Sequence, residues 1–325
     1  PTPTPTPTPA PTPAPTPAPT PTPTSNPGLA YTTAHAVIQQ AWITQNSLFG
    51  MQDVLADDHP SAWWIDTARA QGGANASDVS QQSIVVGGQF AARSNWNVGA
   101  AFAVGRNHTQ DAAQQVNGGN LGLFGYGAYR MGSWRFDAQI GAGRLTQDST
   151  RDLNPTGLIA KGSTQGRYAA AGVKLRYHQS LGNSAFAEPY ATAAYVYTHT
   201  NAFAEQGAGL LNLDYAAQDI HLGRISAGVK TGMNLDAGNG LRIQPWVKVG
   251  AAAYVGDKTN QQNLTLGVLT QPMTGRVAPN ATLETGAGIQ LVSADGHLSS
   301  SLSYSGAFSS EGHLNGVHLN LRYQW

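Results

Sequence analysis

The alternation of apolar and polar side chains after residue 62 constrains the fold more than any other feature of this sequence. A strand points successive side chains to opposite faces, so each alternating segment predicts a strand with one apolar and one polar face. Most of these segments span 10–16 residues. Strands of soluble proteins usually have about five or six residues, whereas tilted membrane strands need about 9–11. The pattern therefore predicts membrane-spanning strands, at 62–71, 82–92, 95–106, 119–131, 133–146, 166–179, 184–199, 217–233, 240–255, 281–292, 297–308 and 313–325.

The chain ends with the clearest of these strands, in the sequence GVHLNLRYQW. Because terminal residues usually fray, a strand that continues to the last residue is expected to pair with the first strand. That pairing would close a barrel and leave no open sheet edge in lipid. Its apolar face consists of Val317, Leu319, Leu321, Tyr323 and Trp325, and its polar face consists of His318, Asn320, Arg322 and Gln324.

The connections between predicted strands alternate in length. Short segments such as RSN, MGS and SADG follow the even-numbered strands, and long polar segments such as QDSTRDLNPTGLIAKGSTQ follow odd-numbered ones, although the last hairpin, SSEG, is short. Short turns on one rim and long loops on the other are typical of outer-membrane barrels. The predicted fold is an all-β, antiparallel, outer-membrane β-barrel of about twelve strands.

Charged side chains on these strands are predicted to face the lumen, because Arg or Lys at the bilayer midplane costs about 2–4 kcal/mol in a barrel. Three acids on the same phase could partner the cations. The predicted lumen-facing cations are Arg135, Lys174, Arg176, Arg224, Lys230, Arg242, Lys248 and Arg322, and the acids are Asp137, Glu188 and Glu284.

Residues 32–56 are predicted to form a helix inside this lumen. Many inward positions are small, including a row of serines at 299, 301, 303 and 305, so about twelve strands leave space within the barrel. A helix of that length would extend roughly 38 Å. Polar residues such as Gln45 interrupt its apolar surface, which suits a polar lumen, and the alternative is an amphipathic helix packed on a domain. The predicted pore-helix residues are Val37, Ile38, Trp42, Asn46, Leu48 and Phe49.

Proline at alternate positions of residues 1–24 predicts a polyproline II spacer, reaching about 75 Å. The alternatives are an inert disordered tail or an SH3-type ligand. The predicted organisation is an extended Pro/Thr linker at 1–24, a linker and pore helix at 25–58, and the barrel at 59–325. Since the chain begins with Pro and carries no signal peptide, we expect it to be the C-terminal piece of a longer precursor.

Aromatic residues near strand ends predict girdles at the membrane interfaces. The first strand, AWWIDTARAQ, does not reveal which of its faces is apolar. The aromatic residues assigned to the girdles are Trp63, Trp64, Trp96, Trp134, Tyr177, Tyr195, Tyr197, Tyr304, Tyr323 and Trp325.

Composition and motifs argue against several function classes. Basic and acidic residues balance at 18 each, which gives no electrostatic case for nucleic-acid binding. The absence of Cys suits passage through an oxidising periplasm, or reflects a simple absence of need. The sequence lacks G-x-S-x-G, H-E-x-x-H and P-loop motifs, and its nine His are scattered. We therefore expect neither an enzyme nor a cofactor or metal site.

The chain resembles the C-terminal translocator domain of type V autotransporters over residues of about 25–325. The resemblance rests on the linker, the helix, the strands AEPYATAAYVYTH and IQPWVKVGAAAYVGD, and the terminal aromatic residue, here Trp instead of the commoner Phe. It implies a Gram-negative outer-membrane barrel that helps an N-terminal passenger reach the cell surface. It also implies that the last strand is a signal for the barrel-assembly machinery. Further expected partners are periplasmic chaperones, outer-membrane lipid and lipopolysaccharide, with the barrel monomeric.

Some members of that family cut their own helix by cyclisation of an Asn, assisted by acids in the lumen. The corresponding groups here would be Asn46 with Asp137, Glu188 and Glu284. Cleaving members have an Asn-Asn pair, whereas this chain has TQNSLFG, so we expect Asn46 to be a solvated pore residue.

Three alternatives to a translocator remain from the sequence. A free-standing channel or adhesin would show a steady open conductance or bind partners through its outer loops. A barrel hydrolase would need a Ser, His and Asp cluster in those loops. A soluble β-protein would dissolve without detergent.

Overall fold

A computed structural model describes Ile38, Trp42, residues 44–50 and residues 61–325, with gaps at 75–76, 94, 155, 183 and 239. The predicted linker at 1–24, most of segment 25–58 and the predicted helix residue Val37 lie outside the described residues. Ile38, Trp42 and residues 44–50 are all helical, and we call this helix α1. No helix in the described part of the chain is long and apolar enough to cross a membrane.

Twelve long strands of the described region form a closed antiparallel ring, as predicted. The last strand pairs with the first from Ala62↔Gln324 to Ala74↔Gly312, so the backbone groups along this seam bond to each other and the ring has no open edge. The ring strands are β1 (Ala62–Ala74), β2 (Ser77–Arg93), β3 (Trp96–Gln110), β4 (Gln114–Met131), β5 (Trp134–Leu153), β6 (Leu158–Tyr177), β8 (Ala185–Thr200), β11 (Gln218–Met233), β13 (Arg242–Gly256), β16 (Ala281–Val292), β17 (Leu298–Ser309) and β18 (Gly312–Gln324). Two short strands, β7 (Gln179–Leu181) and β12 (Leu235–Asp236), extend the sheet at the short-turn rim.

The predicted long loops are largely β-structure, contrary to the prediction from the sequence. Residues 147–165 were predicted to form a loop, yet β5 and β6 each extend to 20 residues and pair as far as Leu153↔Leu158. Backbone groups still need partners beyond the membrane, so pairing continues there. Above the membrane the outer face does not contact lipid and need not be apolar. The alternation of apolar and polar residues therefore ends before the strands do.

A small second sheet lies on this long-strand rim, and we call it the cap sheet. It consists of β9 (Phe203–Ala204), β10 (Asp214–Tyr215), β14 (Thr259–Leu266) and β15 (Leu269–Arg276), and a 3₁₀ turn, Gly209–Leu211, precedes β10. The Tyr215 ring is buried and stacks on Phe203 with centroids 4.4 Å apart. The sheet therefore has a hydrophobic cluster of its own.

A buried ion pair joins the cap sheet to the barrel. Arg151 on β5 donates from Nε and Nη2 to the Glu205 carboxylate at 3.0 and 2.5 Å. The same carboxylate accepts bonds from the Leu213 amide and the Tyr215 hydroxyl. Burial, and next the nearby Glu205 charge, raise the pKa of Tyr215, so this hydroxyl stays protonated and remains a donor.

The first strand resolves its ambiguous phase by turning Trp64 into the lumen, contrary to its predicted place in an aromatic girdle. Trp64 is 3% exposed, and its Nε1 donates to the Tyr126 hydroxyl at 2.7 Å. The indole fits because Gly87 faces it: a β-carbon at Gly87 would lie 2.3 Å from Trp64 Cζ2. The packing of the indole over Gly87 explains why Trp64 turns inward. The alternation of apolar and polar residues does not show this contact.

Aromatic residues on the outer face form a girdle at the short-turn rim. Trp63 stacks on Trp325 across the closing seam, with ring centroids 6.5 Å apart. Trp96 packs on Tyr129 and Trp134 packs on Tyr177 with tilted rings, each pair across neighbouring strands. Such rings favour the membrane–water interface.

We predict that Glu205→Gln loosens the cap sheet and leaves the barrel closed. The change leaves Arg151 buried without its counter-charge, which costs about 3–5 kcal/mol for a buried pair. Limited proteolysis should cut segments 201–217 and 257–280 faster, while heat-modifiable gel mobility still reports a folded barrel. Asp214→Asn, at an exposed acid of the same sheet, is the matched control and should leave the cleavage rate unchanged. An unchanged rate in Glu205→Gln would show that the ion pair does not hold the sheet.

Candidate functional site

Helix α1 lies in the lumen, packed against one wall of the barrel. Ile38, Trp42, Leu48 and Phe49 belong to the same buried cluster as barrel residues from β4, β6, β8 and β11. The barrel members of this cluster include Phe124, Tyr168, Val196 and Leu222. The apolar stripe of the helix is thus covered by inward-facing side chains of the strands.

Gln45 anchors the helix to the strands through polar contacts. Its Nε2 donates to the Ala171 and Tyr195 carbonyls at 3.1 and 3.4 Å. Its own backbone carbonyl accepts a hydrogen bond from Gln139 Nε2 at 3.2 Å. Gln45 is 1% exposed, and a buried amide needs such partners. From the sequence, Gln45 was predicted only as a polar interruption of the apolar helix surface, and its role as an anchor was missed.

Gly172 on β6 makes room for the Phe49 ring. A β-carbon at Gly172 would lie 2.8 Å from Phe49 Cζ, closer than van der Waals contact allows. The alternation places Gly172 on the lumen face. A glycine in a sequence does not show which side chain packs against it, so its contact with Phe49 was not predicted.

Arg224 on β11 connects the polar face of the helix to a single acid, Glu284 on β16. Its Nη2 donates to Glu284 Oε1, and its Nη1 donates to Asn46 Oδ1 at 3.4 Å. The guanidinium carbon also lies 6.0 Å from the Trp42 ring centroid. Asn46 is therefore hydrogen-bonded to the barrel wall, although its side chain lies in the open part of the lumen.

Asp137 on β5 forms ion pairs with two arginines near the short-turn rim. Its Oδ1 accepts from Arg135 Nε at 2.9 Å, and its Oδ2 lies 3.3 Å from Arg176 Nε. All three residues are buried, with Asp137 fully so. Burial of a charge requires a counter-charge and hydrogen bonds, and this triad provides both.

Three lumen lysines rest against aromatic rings. Lys174 and Lys248 lie 5.5 and 5.8 Å from the Tyr190 ring centroid, and Lys230 lies 5.1 Å from that of Trp246. Ring faces attract cations at such distances. Beside them is a cavity of about 270 Å³, which separates the helix from the wall of serines at 301, 303 and 305.

The remaining predicted charges lie nearer the short-turn rim. Glu188 is half-buried and hydrogen-bonds His178 Nδ1 at 2.8 Å. Arg242 is exposed at the first residue of β13. Arg322 is buried and donates to Gln324 Oε1. The predicted lumen charges therefore separate into a central group around the helix and a group at the rim.

The apolar residues of the last strand face outward. Val317, Leu319, Leu321, Tyr323 and Trp325 are each about half exposed in the isolated barrel. The Trp325 amide donates to the Ser61 carbonyl at 3.2 Å, which ties the chain end to the start of β1. Within the described residues, no group of three His, Cys, Asp or Glu side chains could hold a metal ion.

We predict that Gly172→Val displaces helix α1 from its seat. The added methyl groups would occupy the position of Phe49, and lost burial of that side chain costs about 1.5–3 kcal/mol. In planar bilayers the variant should open more often and conduct more than the wild-type barrel. Ala171→Val adds similar bulk to the neighbouring residue, whose side chain points out of the barrel, and should conduct like the wild type. Equal conductance of all three would mean that Phe49 and Gly172 do not control the pore.

Comparison with known proteins agrees with this architecture. The family model described as "Autotransporter beta-domain" matches residues 64–305, and curated protein sequences gave no significant match. The translocator domain of the autotransporter NalP from Neisseria meningitidis is similar at 16% identity and a TM-score of 0.74, covering 91% of this chain and 99% of that one. The β-domain of the Bordetella autotransporter BrkA has 18% identity and a TM-score of 0.65, over 82% and 100% of the two chains. The AIDA-I transport unit from Escherichia coli has 12% identity and a TM-score of 0.53, over 88% and 98%.

At these identities the structural likeness describes the fold, and the family match over most of the barrel carries the assignment. The closed ring, its outward apolar face and the helix in its lumen are consistent with both. The chain therefore belongs to the autotransporter β-domain family, whose members are Gram-negative outer-membrane translocator units for passenger secretion.

Proposed function

We propose that this barrel carries an N-terminal passenger to the cell surface, with the short-turn rim in the periplasm and the cap sheet outside. The observation that carries the proposal is the position of helix α1, which precedes β1 in the chain and lies inside the lumen. Both barrel ends meet at the short-turn rim. A chain that enters the lumen from that rim and continues towards its N-terminus leaves through the opposite rim.

The same geometry supports the expected partners. The outward apolar row from Val317 to Trp325 would contact outer-membrane lipid and be presented to the barrel-assembly machinery while the seam is open. Periplasmic chaperones would protect such a strand before insertion. The closed ring needs no second copy to pair its edges, so the barrel acts as a monomer.

The barrel acts as a conduit without enzymatic activity of its own. Asp137 and Glu284 are held in ion pairs by arginines, so neither carboxylate is a free base. A free-standing channel is the second candidate, but the anchored helix argues against a permanently open pore.

A tagged passenger tests the transport function. With an epitope tag upstream of Pro1 and a secretion signal, whole cells should bind antibody against the tag. Leu319→Arg with Leu321→Arg should abolish binding, because each lipid-facing arginine costs about 2–4 kcal/mol at the midplane. Val268→Arg with Leu269→Arg, at the exposed hairpin tip between β14 and β15, is the matched control and should retain binding. A folded, inserted barrel whose tag stays inaccessible would refute the proposal.

The helix should remain attached to the barrel after transport. Asn46 is hydrogen-bonded to Arg224, and two of the acids considered for cyclisation, Asp137 and Glu284, are committed to ion pairs. Mass spectrometry of the chain extracted from outer membranes should therefore give an intact mass that includes the Pro/Thr tract. A fragment that begins at Ser47 would show self-cleavage instead.

A further inference from the structure

Two arginines on the outer face of the barrel lie directly opposite each other. Arg144 on β5 pairs in register with Arg167 on β6. Both side chains are exposed, while the next residue of each strand, Leu145 or Tyr168, is buried in the lumen. The two guanidinium groups therefore share the outer surface.

This arrangement is unfavourable without an anion. Directly opposed residues of neighbouring strands have β-carbons about 4.5–5.5 Å apart, and like charges there are destabilising. In the described part of the chain, neither arginine forms an ion pair. Arg167 has a hydrogen-bond contact with the Tyr197 hydroxyl, which carries no charge to offset the pair.

The acid beyond these arginines already has its own partners. His199 on β8 lies opposite Arg167, and Asp219 on β11 lies opposite His199, so the row continues across four strands. The Asp219 carboxylate accepts from the Tyr197 hydroxyl at 2.6 Å and bonds His199 Nδ1 at 2.9 Å. The excess positive charge of the row therefore lies at Arg144 and Arg167.

The arginine pair lies at the upper edge of the apolar band. On β5 the outward residues from Phe136 to Ala142 are apolar, and those from Arg144 to Asp152 are polar. On β6 the order reverses, with polar outward residues from Lys161 to Arg167 and apolar ones from Ala169 to Leu175. Leu121, opposite Arg144 on β4, is 47% exposed. This boundary is the level at which lipid headgroups meet the barrel.

We propose that Arg144 and Arg167 bind a phosphate group of a phosphorylated glycolipid in the leaflet at the long-strand rim. Guanidinium groups bind phosphate through paired, charge-assisted hydrogen bonds. The exposed Tyr195 ring lies on the next strand, β8, opposite Ala171 and so below the arginines, with its hydroxyl 2.6 Å from His221 Nδ1, and it provides an aromatic surface for the same lipid. The inference rests on the proposed membrane orientation, and it adds a specific lipid contact to the transport role.

The test uses the full chain refolded in phosphatidylcholine vesicles, with and without diphosphoryl lipid A. The midpoint of thermal unfolding is read from heat-modifiable gel mobility. Lipid A should raise the wild-type midpoint, since a ligand that binds only the folded state stabilises it. Arg144→Gln with Arg167→Gln should lose most of that rise, corresponding to at least about a tenfold weaker affinity. In phosphatidylcholine alone the double variant should be at least as stable as the wild type, because the repulsion is gone.

Arg106→Gln is the matched control. Arg106 is exposed on the outer face of β3 but lies opposite Gln82 and Gly119, so it has no opposed cation. It should keep the wild-type response to lipid A. Lipid A without its phosphates, or inorganic phosphate added to plain vesicles, should produce no rise.

An equal rise in the wild type and the double variant would overturn the proposal, as would an equal loss in Arg106→Gln. A rise with inorganic phosphate alone would show an anion site that does not require lipid, and would also overturn it. If the double variant does not refold, Arg144→Gln alone is expected to show the same loss. Passenger display is not part of this measurement, so a failure of the transport proposal is detected separately.

Discussion

The rest of this structure depends on the cost of leaving a backbone amide unpaired in hydrocarbon. The two edge strands of the sheet avoid that cost by pairing β1 with β18 through thirteen residue pairs. Trp63 and Trp325 stack across the same seam at the membrane interface. Once the ring is closed, every strand must present an apolar face to lipid and place its remaining side chains inside.

Closure also determines the chemistry of the lumen. The lumen of a twelve-stranded barrel is too wide for small inward side chains to fill. Charged residues, which are excluded from the lipid face, accumulate there. These charged residues form local groups. Two arginines pair with Asp137, one arginine pairs with Glu284, and lysines make cation–π contacts with Tyr190 and Trp246. Helix α1 fills the remaining space on one side, with Gln45 bonded to the strands and Phe49 seated against Gly172.

The sequence was sufficient to predict the twelve strands, the closed ring and the helix inside it, because each depends on a regular period that lipid or a polar lumen imposes. It did not predict the extension of β5 and β6 or the cap sheet, because strands outside the membrane need backbone pairing and no particular alternation. The inward turn of Trp64 was also missed, since apolar residues occupy both phases at the start of β1. Gly172 and Gln45 acquire their roles from the partner that faces them, and a one-dimensional pattern does not contain that partner.

The wall of serines on β17 has a consequence for the order of assembly. The strands that grip the helix are made early, whereas β17 and β18 are made last and β17 meets the helix across a cavity. Small hydroxyl side chains have no shape that a neighbour must match. The final strands can therefore close over a segment already lying in the lumen without a fitted contact to it. A barrel wall without such a fitted contact can accommodate different sequences beside it. This suits a pore through which successive segments of a passenger chain would move.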